Sequence, residues 1–307
     1  MDDAPAEAAA VAHRLVHGGS RFREPVLVDD DVLDELAGLT ELAPLHMTPA
    51  VEALREARAK LPDLPHVAVF DTAFHASIPD EASTYALPQR ARKDWGIRRY
   101  GFHGLSVQWA SEQVPAERLV VCHLGGGCSV TAVRAGRSID TTMGFTPLEG
   151  VPMATRAGSV DPGALLYLLR HHLTLDELDE VLEHESGLAG LSGVSADLRE
   201  LQASNDPTAR LAIEVFTYRV AAAVGAMATA LGGLDALVFT AGIGENSASV
   251  RAAVCERLGF LGVELDREAN ASAGPDATVS SGPVRVVVLK AREDAVAARA
   301  ARALLEG

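Results

Sequence analysis

The sequence is poor in cysteine, in aromatic residues and in positive charge. Only 3 cysteines occur in 307 residues, and Cys122, Cys128 and Cys255 have no paired ligand spacing, which argues against a disulfide framework or a structural zinc site. Lys and Arg number 27 against 42 Asp and Glu, giving a formal net charge of −15. Because this field repels nucleic acids and anionic membranes, we expect neither partner, and any anionic ligand must meet a local cluster of cations.

Long apolar runs are scarce as well. The opening segment MDDAPAEAAAVAHRL is acidic and has no apolar core of the kind found in secretory signals. The best candidate for a membrane span, residues 220–231, is short and directly follows Arg219, so we expect no segment of membrane-spanning length. Together with the low cysteine content, this favours a reducing cytoplasm.

The chain does contain helix and strand patterns that are mixed along its whole length. A capping residue followed by proline predicts a helix start at Thr48-Pro49, at Asp161-Pro162 and at Asp206-Pro207. The third of these helices is expected to be the longest and most buried, and to end at Gly232. The apolar runs HVAVFD, LVVCHL, ALVFTA and VRVVVL predict buried strands. The sequence therefore predicts an α/β protein, and no linker or repeat marks a domain boundary.

Three consecutive glycines interrupt the segment LVVCHLGGGCSVTAV. The β-branched flanks predict a hairpin, with Gly125, Gly126 and Gly127 as its loop. Residues without a Cβ allow a positive φ or a close approach of a ligand to the backbone amides, as in a phosphate loop. An ordinary hairpin turn explains the triplet equally well, so the loop alone leaves both interpretations open.

Two further segments place polar or glycine residues at the ends of predicted strands, where ligands of α/β proteins collect. Asp71 closes the run HVAVFD and is either a site residue or a helix-capping or turn aspartate. In ALVFTAGIGENSASVRAAV a strand leads into Gly242 and Gly244, then into a helix predicted to begin near Asn246 or Ser247. This arrangement aims free amides at an anion. A dinucleotide site is a weaker alternative, because Ser247 stands where the third glycine belongs.

Cationic residues occur beside glycine turns in three segments. HRLVHGG contains His13, Arg14 and His17, RRYGFHG contains Arg98, Arg99 and His103, and MATRAGSVDP contains Arg156. Taken singly, each arginine fits a surface salt bridge and each histidine a structural hydrogen bond. In a chain with two phosphate-type loops, they jointly favour phosphoryl transfer, because arginine binds carboxylate and phosphate groups bidentately.

Seven motifs occur in the order and approximate spacing typical of acetate kinases, namely HRLVHGG, VAVFDTAFH, RRYGFHG, CHLGGGCS, DTTMGFTPLEG, SGVSADLRE and FTAGIGENS. The chain therefore resembles the acetate kinase family, within the sugar kinase, Hsc70 and actin superfamily, from about residue 10 to its end. The resemblance implies a two-domain, actin-like (ribonuclease H-like) α/β fold that holds ATP and Mg²⁺ (or Mn²⁺). It also implies reversible phosphoryl transfer from ATP to acetate, which yields acetyl phosphate and ADP.

The resemblance implies roles for individual residues. Arg14 would bind the acetate carboxylate, and Asp71 would be the catalytic acid/base residue, with His103 and Arg156 stabilising the transition state. Because acetate is already ionised, we expect Asp71 to orient an arginine or a metal-bound water rather than to transfer a proton. Glu293 aligns with a Mg²⁺-binding glutamate. The implied nucleotide-binding residues are His123, Leu124, Gly125, Gly126, Gly127, Asp197, Leu198, Arg199, Gly242, Ile243, Gly244, Glu245 and Asn246.

The resemblance also implies a domain layout. Residues 1–72 are expected to be a remnant of the N-terminal domain, with a C-terminal helix from residue 294 to 307 packed on it. Residues 73–293 are expected to bind the nucleotide and to form a homodimer. Acetate kinases open with a strand and the loop Asn-Ala-Gly-Ser-Ser-Ser-Leu-Lys, whereas this chain is expected to begin inside the helix before Arg14. Two alternatives follow: a working acetate kinase, and a catalytically impaired nucleotide-binding relative.

Overall fold

The computed structural model describes residues 8–306, which form two β-sheets covered by helices. One sheet has three strands in the order β1-β3-β2, and the other has six in the order β6-β5-β4-β7-β9-β8. The strands are β1 Val11–Leu15, β2 Val26–Leu27, β3 His66–Phe70, β4 Arg118–Leu124, β5 Cys128–Arg134, β6 Arg137–Thr141, β7 Ala236–Thr240, β8 Ala277–Thr278 and β9 Arg285–Val288.

The helices are interspersed among these strands, as the mixed sequence pattern predicts for an α/β protein. They are α1 Asp30–Gly38, α2 Pro44–Lys60, α3 Asp80–Ser83, α4 Gln89–Trp95, α5 Gly104–Gln113, α6 Pro162–His171, α7 Leu175–His184, α8 Gly187–Ser192, α9 Leu198–Ala203, α10 Pro207–Leu231, α11 Ala241–Asn246, α12 Ala248–Glu256, α13 Arg267–Ala271 and α14 Glu293–Glu306. Short 3₁₀ helices cover Thr40–Leu42, Ala73–Ser77 and Gly259–Leu261.

Arg14 lies in a strand of the three-stranded sheet. Strand β1 runs parallel to β3, with Arg14 opposite Val69, and β2 pairs with β3 in the antiparallel direction. The expected helix before Arg14 is therefore wrong from Val11 onward, while residues 1–7 lie outside the described residues. The alanine-rich segment has a local preference for helix, but pairing with the buried strand β3 overrides it.

The six-stranded sheet has a parallel centre. Strands β4, β7 and β9 are parallel neighbours, while β5, β6 and β8 pair in the antiparallel direction. The predicted strands HVAVFD, LVVCHL, ALVFTA and VRVVVL are thus confirmed. The glycine triplet joins β4 to β5 as the predicted hairpin. Because β4 and β7 are parallel, His123 lies opposite Thr240 and the segments that follow both strands meet at one edge of the sheet.

Two of the three predicted helix starts are confirmed. The Asp161 side chain accepts from the amide of Ala164, and that of Asp206 from the amide of Thr208, so each caps the first turn of its helix. Such caps stabilise a helix by about 1 kcal/mol. The start predicted at Thr48-Pro49 is wrong, because α2 begins at Pro44 and includes Pro49. The opening proline is thus Pro44, five residues before the proline that the sequence pattern suggested.

Helix α10 is the longest in the described part of the chain, with 25 residues, and it ends at Gly232, which adopts a φ of 71°. By length and composition it is long and apolar enough to cross a membrane, with a mean hydropathy of 1.4, which corrects the expectation that no segment reaches that length. It packs on β4, β5 and β6, where Phe216, Val220 and Val224 are fully buried. Its apolar residues therefore form part of the core of this fold.

Helix α5 lies between the two sheets, and α14 packs beside it on the three-stranded sheet. Leu105 of α5 packs with Val67 and Val69 of β3, together with Val296 of α14. From its other face, α5 packs Val107 and Ala110 against β4 and β7. The first residue of α14, Glu293, and the residue preceding α5, His103, consequently lie where the two sheets meet.

Candidate active site

Arg14 and Asp71 form a bidentate ion pair at the carboxyl ends of β1 and β3. The Arg14 guanidinium donates from Nε to Oδ1 at 3.0 Å and from Nη2 to Oδ2 at 2.8 Å. Asp71 is 1% exposed, whereas the Arg14 side chain is 39% exposed. The buried carboxylate therefore fixes the orientation of a guanidinium whose remaining surface is open to a ligand.

The backbone of Asp71 ties the three-stranded sheet to α5. Its amide donates to the carbonyl of Leu15, and its carbonyl accepts from the amide of Gly104 at 2.9 Å. A Cβ on Gly104 would lie 2.0 Å from that carbonyl oxygen, so only glycine fits the close approach. Asp71 is thus held on both sides, which its alternative interpretation as a helix-capping or turn residue does not require.

Glu293 is the first residue of α14, and it bonds a nitrogen of Arg14 that Asp71 does not use. Arg14 Nη1 donates to Glu293 Oε2, whereas Glu293 Oε1 is buried and has no hydrogen-bond partner within residues 8–306. Burial raises the pKa of the Glu293 carboxyl, and Arg14 opposes that shift. Within the same residues no group of three or more His, Cys, Asp or Glu side chains has the arrangement of a metal site.

His103 and His123 stack face to face below the glycine loop, with ring centroids 4.0 Å apart. His103 Nδ1 lies 3.0 Å from the Ser129 hydroxyl, and His123 Nδ1 lies 2.8 Å from the Ser106 hydroxyl. Burial, and then the charges of His123, Arg14 and Arg156, hold the pKa of His103 well below its usual range. His103 is therefore neutral near pH 7.

The glycine loop faces His103 and Arg156. A Cβ placed on Gly127 would lie 3.2 Å from His103 Nε2 and 3.3 Å from Arg156 Nη2, whereas one on Gly126 would meet nothing within 4 Å. The amide of Gly125 donates to the carbonyl of Gly127 at 3.0 Å and closes the loop. His103 has a φ of 57°, an uncommon backbone conformation that points to a functional position.

The segment from Gly242 to Asn246 adjoins this loop. Ala241 Cβ lies 3.5 Å from the position of a Cβ on Gly125, so α11 begins beside the glycine loop. The predicted helix start near Ser247 is confirmed, since Ser247 caps α12, but Gly242 to Asn246 form a separate short helix rather than an open loop. Two short helices in succession differ from the single turn of a dinucleotide fingerprint.

A buried arginine holds the backbone of α11 through hydrogen bonds to its carbonyl groups. Arg251 is 2% exposed, and its Nη1 donates to the carbonyls of Gly244 and Glu245, at 3.0 and 2.9 Å. Its Nε and Nη2 bond the side chain and carbonyl of Asn270. The Glu245 carboxylate accepts from the amide of Ala291, two residues before Glu293. This network joins the implied nucleotide segment to the start of α14.

Asp197 and Arg199 are paired with each other rather than with the glycine loop. The Asp197 side chain caps α9 by accepting from the Arg199 amide at 2.9 Å, and it also accepts from the Arg199 guanidinium. Leu198, between them, is buried in the core. Farther along α9, Gln202 donates to the hydroxyls of Ser247 and Ser249, which brings this helix beside the start of α12.

Several cations singled out from the sequence have structural partners. His17 is buried against the rings of Tyr100 and Phe102, and burial lowers its pKa to about 4. Arg99 donates to Glu149 and to the carbonyls of Thr142 and Met143. For both residues the simple structural interpretation accounts for the contacts.

His46, in α2, is a histidine near the candidate site that sequence reasoning missed. Burial lowers its pKa, and the charges of Arg156, Asp71 and Arg14 also act on it. The only signal in the sequence was its position two residues after Pro44, at the start of a helix. A pattern search for glycine turns passes over such a residue.

The model of the acetokinase family matches residues 1–299. The acetate kinase of Synechococcus sp. (strain JA-2-3B'a(2-13)) is 49% identical over 315 residues, covering 98% of this chain and 78% of the relative. That of Nostoc punctiforme is 47% identical over 306 residues, covering 95% of this chain and 75% of the relative.

Solved structures give the same picture. A propionate kinase from Francisella tularensis superposes with a TM-score of 0.90 at 39% identity, covering 95% of this chain and 78% of the other. The acetate kinase of Porphyromonas gingivalis superposes with a TM-score of 0.91 at 37% identity, covering 97% of this chain and 79% of the other.

Proposed function

The chain belongs to the acetokinase family, and from that premise we propose that it catalyses reversible phosphoryl transfer from ATP to acetate, giving acetyl phosphate and ADP. Its fold is the α/β, actin-like fold of the acetate and propionate kinases. One observation carries the proposal: His103 and Arg156, which lie far apart in the sequence, both face Gly127 of the glycine loop, and the charge of Arg14 on the neighbouring sheet acts on His103.

The chemical obstacle is charge repulsion. Acetate is an anion at neutral pH, and it must approach a phosphoryl group whose oxygens stay negative through the transition state. Arg14 supplies a positive group for the acetate carboxylate, and the buried Asp71 carboxylate orients it through two hydrogen bonds. In this proposal Asp71 acts by positioning, because the nucleophile has no proton to lose.

His103 and Arg156 act on the phosphoryl group. A neutral His103 whose Nδ1 accepts from the Ser129 hydroxyl carries its proton on Nε2, the nitrogen that faces Gly127. We therefore assign His103 as a neutral hydrogen-bond donor rather than an imidazolium. Arg156 Nη2 faces the same point of the loop and adds a full positive charge there. Both groups are fixed before the substrate arrives, which favours the transition state.

The carboxylates beside Arg14 fit a divalent cation. Glu293 Oε1 is buried and has no partner among the residues that the structure describes, and Asp71 offers a second carboxylate on the same guanidinium. Mg²⁺ in phosphoryl-transfer sites is held by one or two carboxylates together with substrate phosphates, so the small donor set is suitable. Glu293 and Asp71 would hold the ion, or Mn²⁺ in its place. When bound, it neutralises phosphate charge.

We propose that the nucleotide is held by the glycine loop and its neighbours. The residues assigned to it are His123, Leu124, Gly125, Gly126, Gly127, Asp197, Leu198, Arg199, Gly242, Ile243, Gly244, Glu245 and Asn246. The adjacency of Gly125 and Ala241 supports the assignment for two of the three segments. For the segment of Asp197 and Arg199 the support is indirect: Gln202, farther along α9, donates to the hydroxyl of Ser247, which caps α12.

We further propose how the chain is divided into domains and how it assembles. The N-terminal part through residue 72, with α14, forms one domain, and residues 73–293 form the nucleotide-binding domain. The enzyme is a cytoplasmic homodimer. Helix α6 supports a protein contact, because it buries no residue in this chain while Leu166, Tyr167 and Leu169 are 49%, 56% and 37% exposed. Sedimentation of the wild type and of Tyr167→Asp tests this, with dissociation expected in the variant.

The deciding experiment measures acetyl phosphate made from ATP, Mg²⁺ and acetate by the purified chain, with propionate in a parallel reaction. We expect product with acetate, and a loss of product in Arg156→Ala. ATP binding by calorimetry without acetyl phosphate formation would instead identify a catalytically impaired nucleotide-binding relative. Product formation that is equal in Arg156→Ala and wild type would remove the proposed site.

A further inference from the structure

The Arg156 guanidinium is held on two of its three nitrogens. Nη1 donates to the carbonyl of Pro147 at 3.0 Å, and Nε lies 3.8 Å from Oε2 of Glu183. Nη2 is the nitrogen that faces Gly127. The two contacts therefore leave one edge of the guanidinium directed at the glycine loop.

The segment that carries Glu183 is clamped to the loop that carries Arg156. The Ala157 amide donates to the carbonyl of Leu182 at 3.1 Å, and the Thr155 hydroxyl donates to the carbonyl of Glu183 at 2.8 Å. The Ser186 amide donates to the carbonyl of Thr155 at 2.9 Å. These bonds flank Arg156 on both sides, so α7 and the arginine loop form one unit.

The same loop reaches the glycine triplet. The Ala154 amide donates to the carbonyl of Gly126 at 3.2 Å, and the Ala189 amide donates to the carbonyl of Ala154 at 3.0 Å. The backbone path thus runs from α7 and α8 through the arginine loop to the glycine loop. Glu183 lies at the α7 end of this path, and the glycine loop lies at the other end.

Glu183 and Arg156 share a desolvated environment. Their side chains are 16% and 14% exposed. Burial raises the pKa of the Glu183 carboxyl and lowers that of the Arg156 guanidinium, and in each case the partner's charge opposes the effect of burial. A buried charge is tolerated when an opposite charge replaces part of its lost hydration. Glu183 is therefore the natural counter-charge of Arg156.

We propose that Glu183 is a positioning residue for the phosphoryl-transfer step: its carboxylate orients Arg156, so that Nη2 faces the glycine loop. The inference rests on the proposed function of that site. Glu183 touches no substrate and acts through the guanidinium alone. The role requires a negative charge at this point of α7, which distinguishes Glu183 from the exposed acids of the same helix.

The kinetic test compares Glu183→Gln with Glu180→Gln, the same substitution at an exposed position of α7. We expect Glu183→Gln to lower kcat by about 10² or somewhat less, as a misplaced catalytic group does, while both KM values change less than about threefold. Glu180→Gln should leave kcat unchanged. In an Arg156→Ala background Glu183→Gln should cost nothing more. A full additional loss in that background, or wild-type kcat in the single variant, overturns the proposal.

A second measurement is independent of turnover. Phenylglyoxal modifies arginine side chains, and mass spectrometry after digestion gives the rate for Arg156 alone. Without its counter-charge the guanidinium is less firmly held and more easily deprotonated, so the rate should rise at least about threefold in Glu183→Gln and stay unchanged in Glu180→Gln. An unchanged rate in Glu183→Gln refutes the pairing. If the wild type made no acetyl phosphate but this rate still rose, the proposed function would fail while the pairing stood.

Discussion

Arg14 and Asp71 face each other across neighbouring parallel strands, and both carboxylate oxygens of Asp71 accept from the Arg14 guanidinium. The pair forms because β1 and β3 run parallel, with Leu15 opposite Phe70, so the residues near both carboxyl ends meet. The carboxylate of Asp71 occupies one edge of the guanidinium, and a substrate carboxylate has to use another. Under the proposed function, orientation by Asp71 thus selects the edge of the guanidinium that acetate would meet.

Asp71→Asn is expected to lower kcat at least about 10²-fold, because the amide cannot accept two charge-assisted bonds and Arg14 loses its fixed orientation. Steady-state kinetics of acetyl phosphate formation measure the effect. Asp63→Asn, at an exposed position before β3, is the matched control and should behave as wild type. Nearly unchanged turnover in Asp71→Asn would contradict both a positioning and a proton-transfer role.

Arg14→Lys is expected to raise the KM for acetate at least about tenfold and to lower kcat, although the charge is kept. Lysine lacks the planar fork that binds Asp71 and a substrate carboxylate at the same time. The KM for ATP should change little, since the glycine loop lies on the other sheet. Arg23→Lys, at an exposed position, is the control. An equal rise in both KM values would indicate general damage to the fold.

Gly127→Ala and Gly126→Ala form a matched pair within the glycine loop. The new methyl group at residue 127 would lie 3.2 Å from His103 Nε2 and 3.3 Å from Arg156 Nη2, so it must displace one of them. At residue 126 nothing lies within 4 Å. We expect kcat to fall at least about tenfold for Gly127→Ala and to change less for Gly126→Ala, whose methyl group would meet the proposed nucleotide rather than His103 or Arg156 and should raise the KM for ATP. The reverse order would mean that the loop faces away from the site.

Protonation of buried histidines should make stability depend on pH. His75 bonds the Ser138 hydroxyl and the carbonyl of Phe102, and burial lowers its pKa from 6.5 to about 4. Between these values the unfolded chain binds a proton that the folded chain does not, so the free energy of unfolding falls as pH falls. The contribution is about 1.4 kcal/mol per pH unit.

His75→Gln should remove this contribution. Urea unfolding at several pH values from 6.5 down to 4.5 gives the slope, which should decrease by roughly one proton in the variant, whatever its absolute stability. His171→Gln changes an exposed ring and should leave the slope as it is in wild type. Parallel slopes for wild type and His75→Gln would show that His75 titrates normally in the folded chain.

Local signals in the sequence predicted the parts of the fold that local chemistry decides. Asp161 and Asp206 cap helices because their side chains bond amides two or three residues ahead, and a proline follows each. The segment around Arg14 is different. Its alanines favour helix locally, but it forms a strand because β3, more than 50 residues later, supplies the hydrogen bonds. No pattern within the segment carries that information.

The same distinction holds for the candidate site. Arg14, Asp71, His103 and Arg156 were recognisable because each stands in a motif with glycine or at the end of an apolar run. His46 and Glu183 were not, since each lies in a helix whose local sequence is unremarkable: LDELDEVLEH is an acidic amphipathic helix with a capping box. The proximity of Glu183 to Arg156 arises only when the end of α7 packs beside the arginine loop, and the charge of Arg156 acts on His46 only in the folded chain.

Arg14 belongs to the smaller sheet, whereas the glycine loop extends from the larger one; α5 packs against both sheets, and α14 packs beside it on the smaller sheet. Under the proposed function, the gap between the acyl acceptor and the nucleotide tail would be set by how tightly these two helices pack. A slip of about 1 Å between the sheets would be enough to misalign an in-line attack. Small apolar residues such as Ala297 and Ala301, which pack with Leu105 of α5, would then affect turnover through the spacing they maintain.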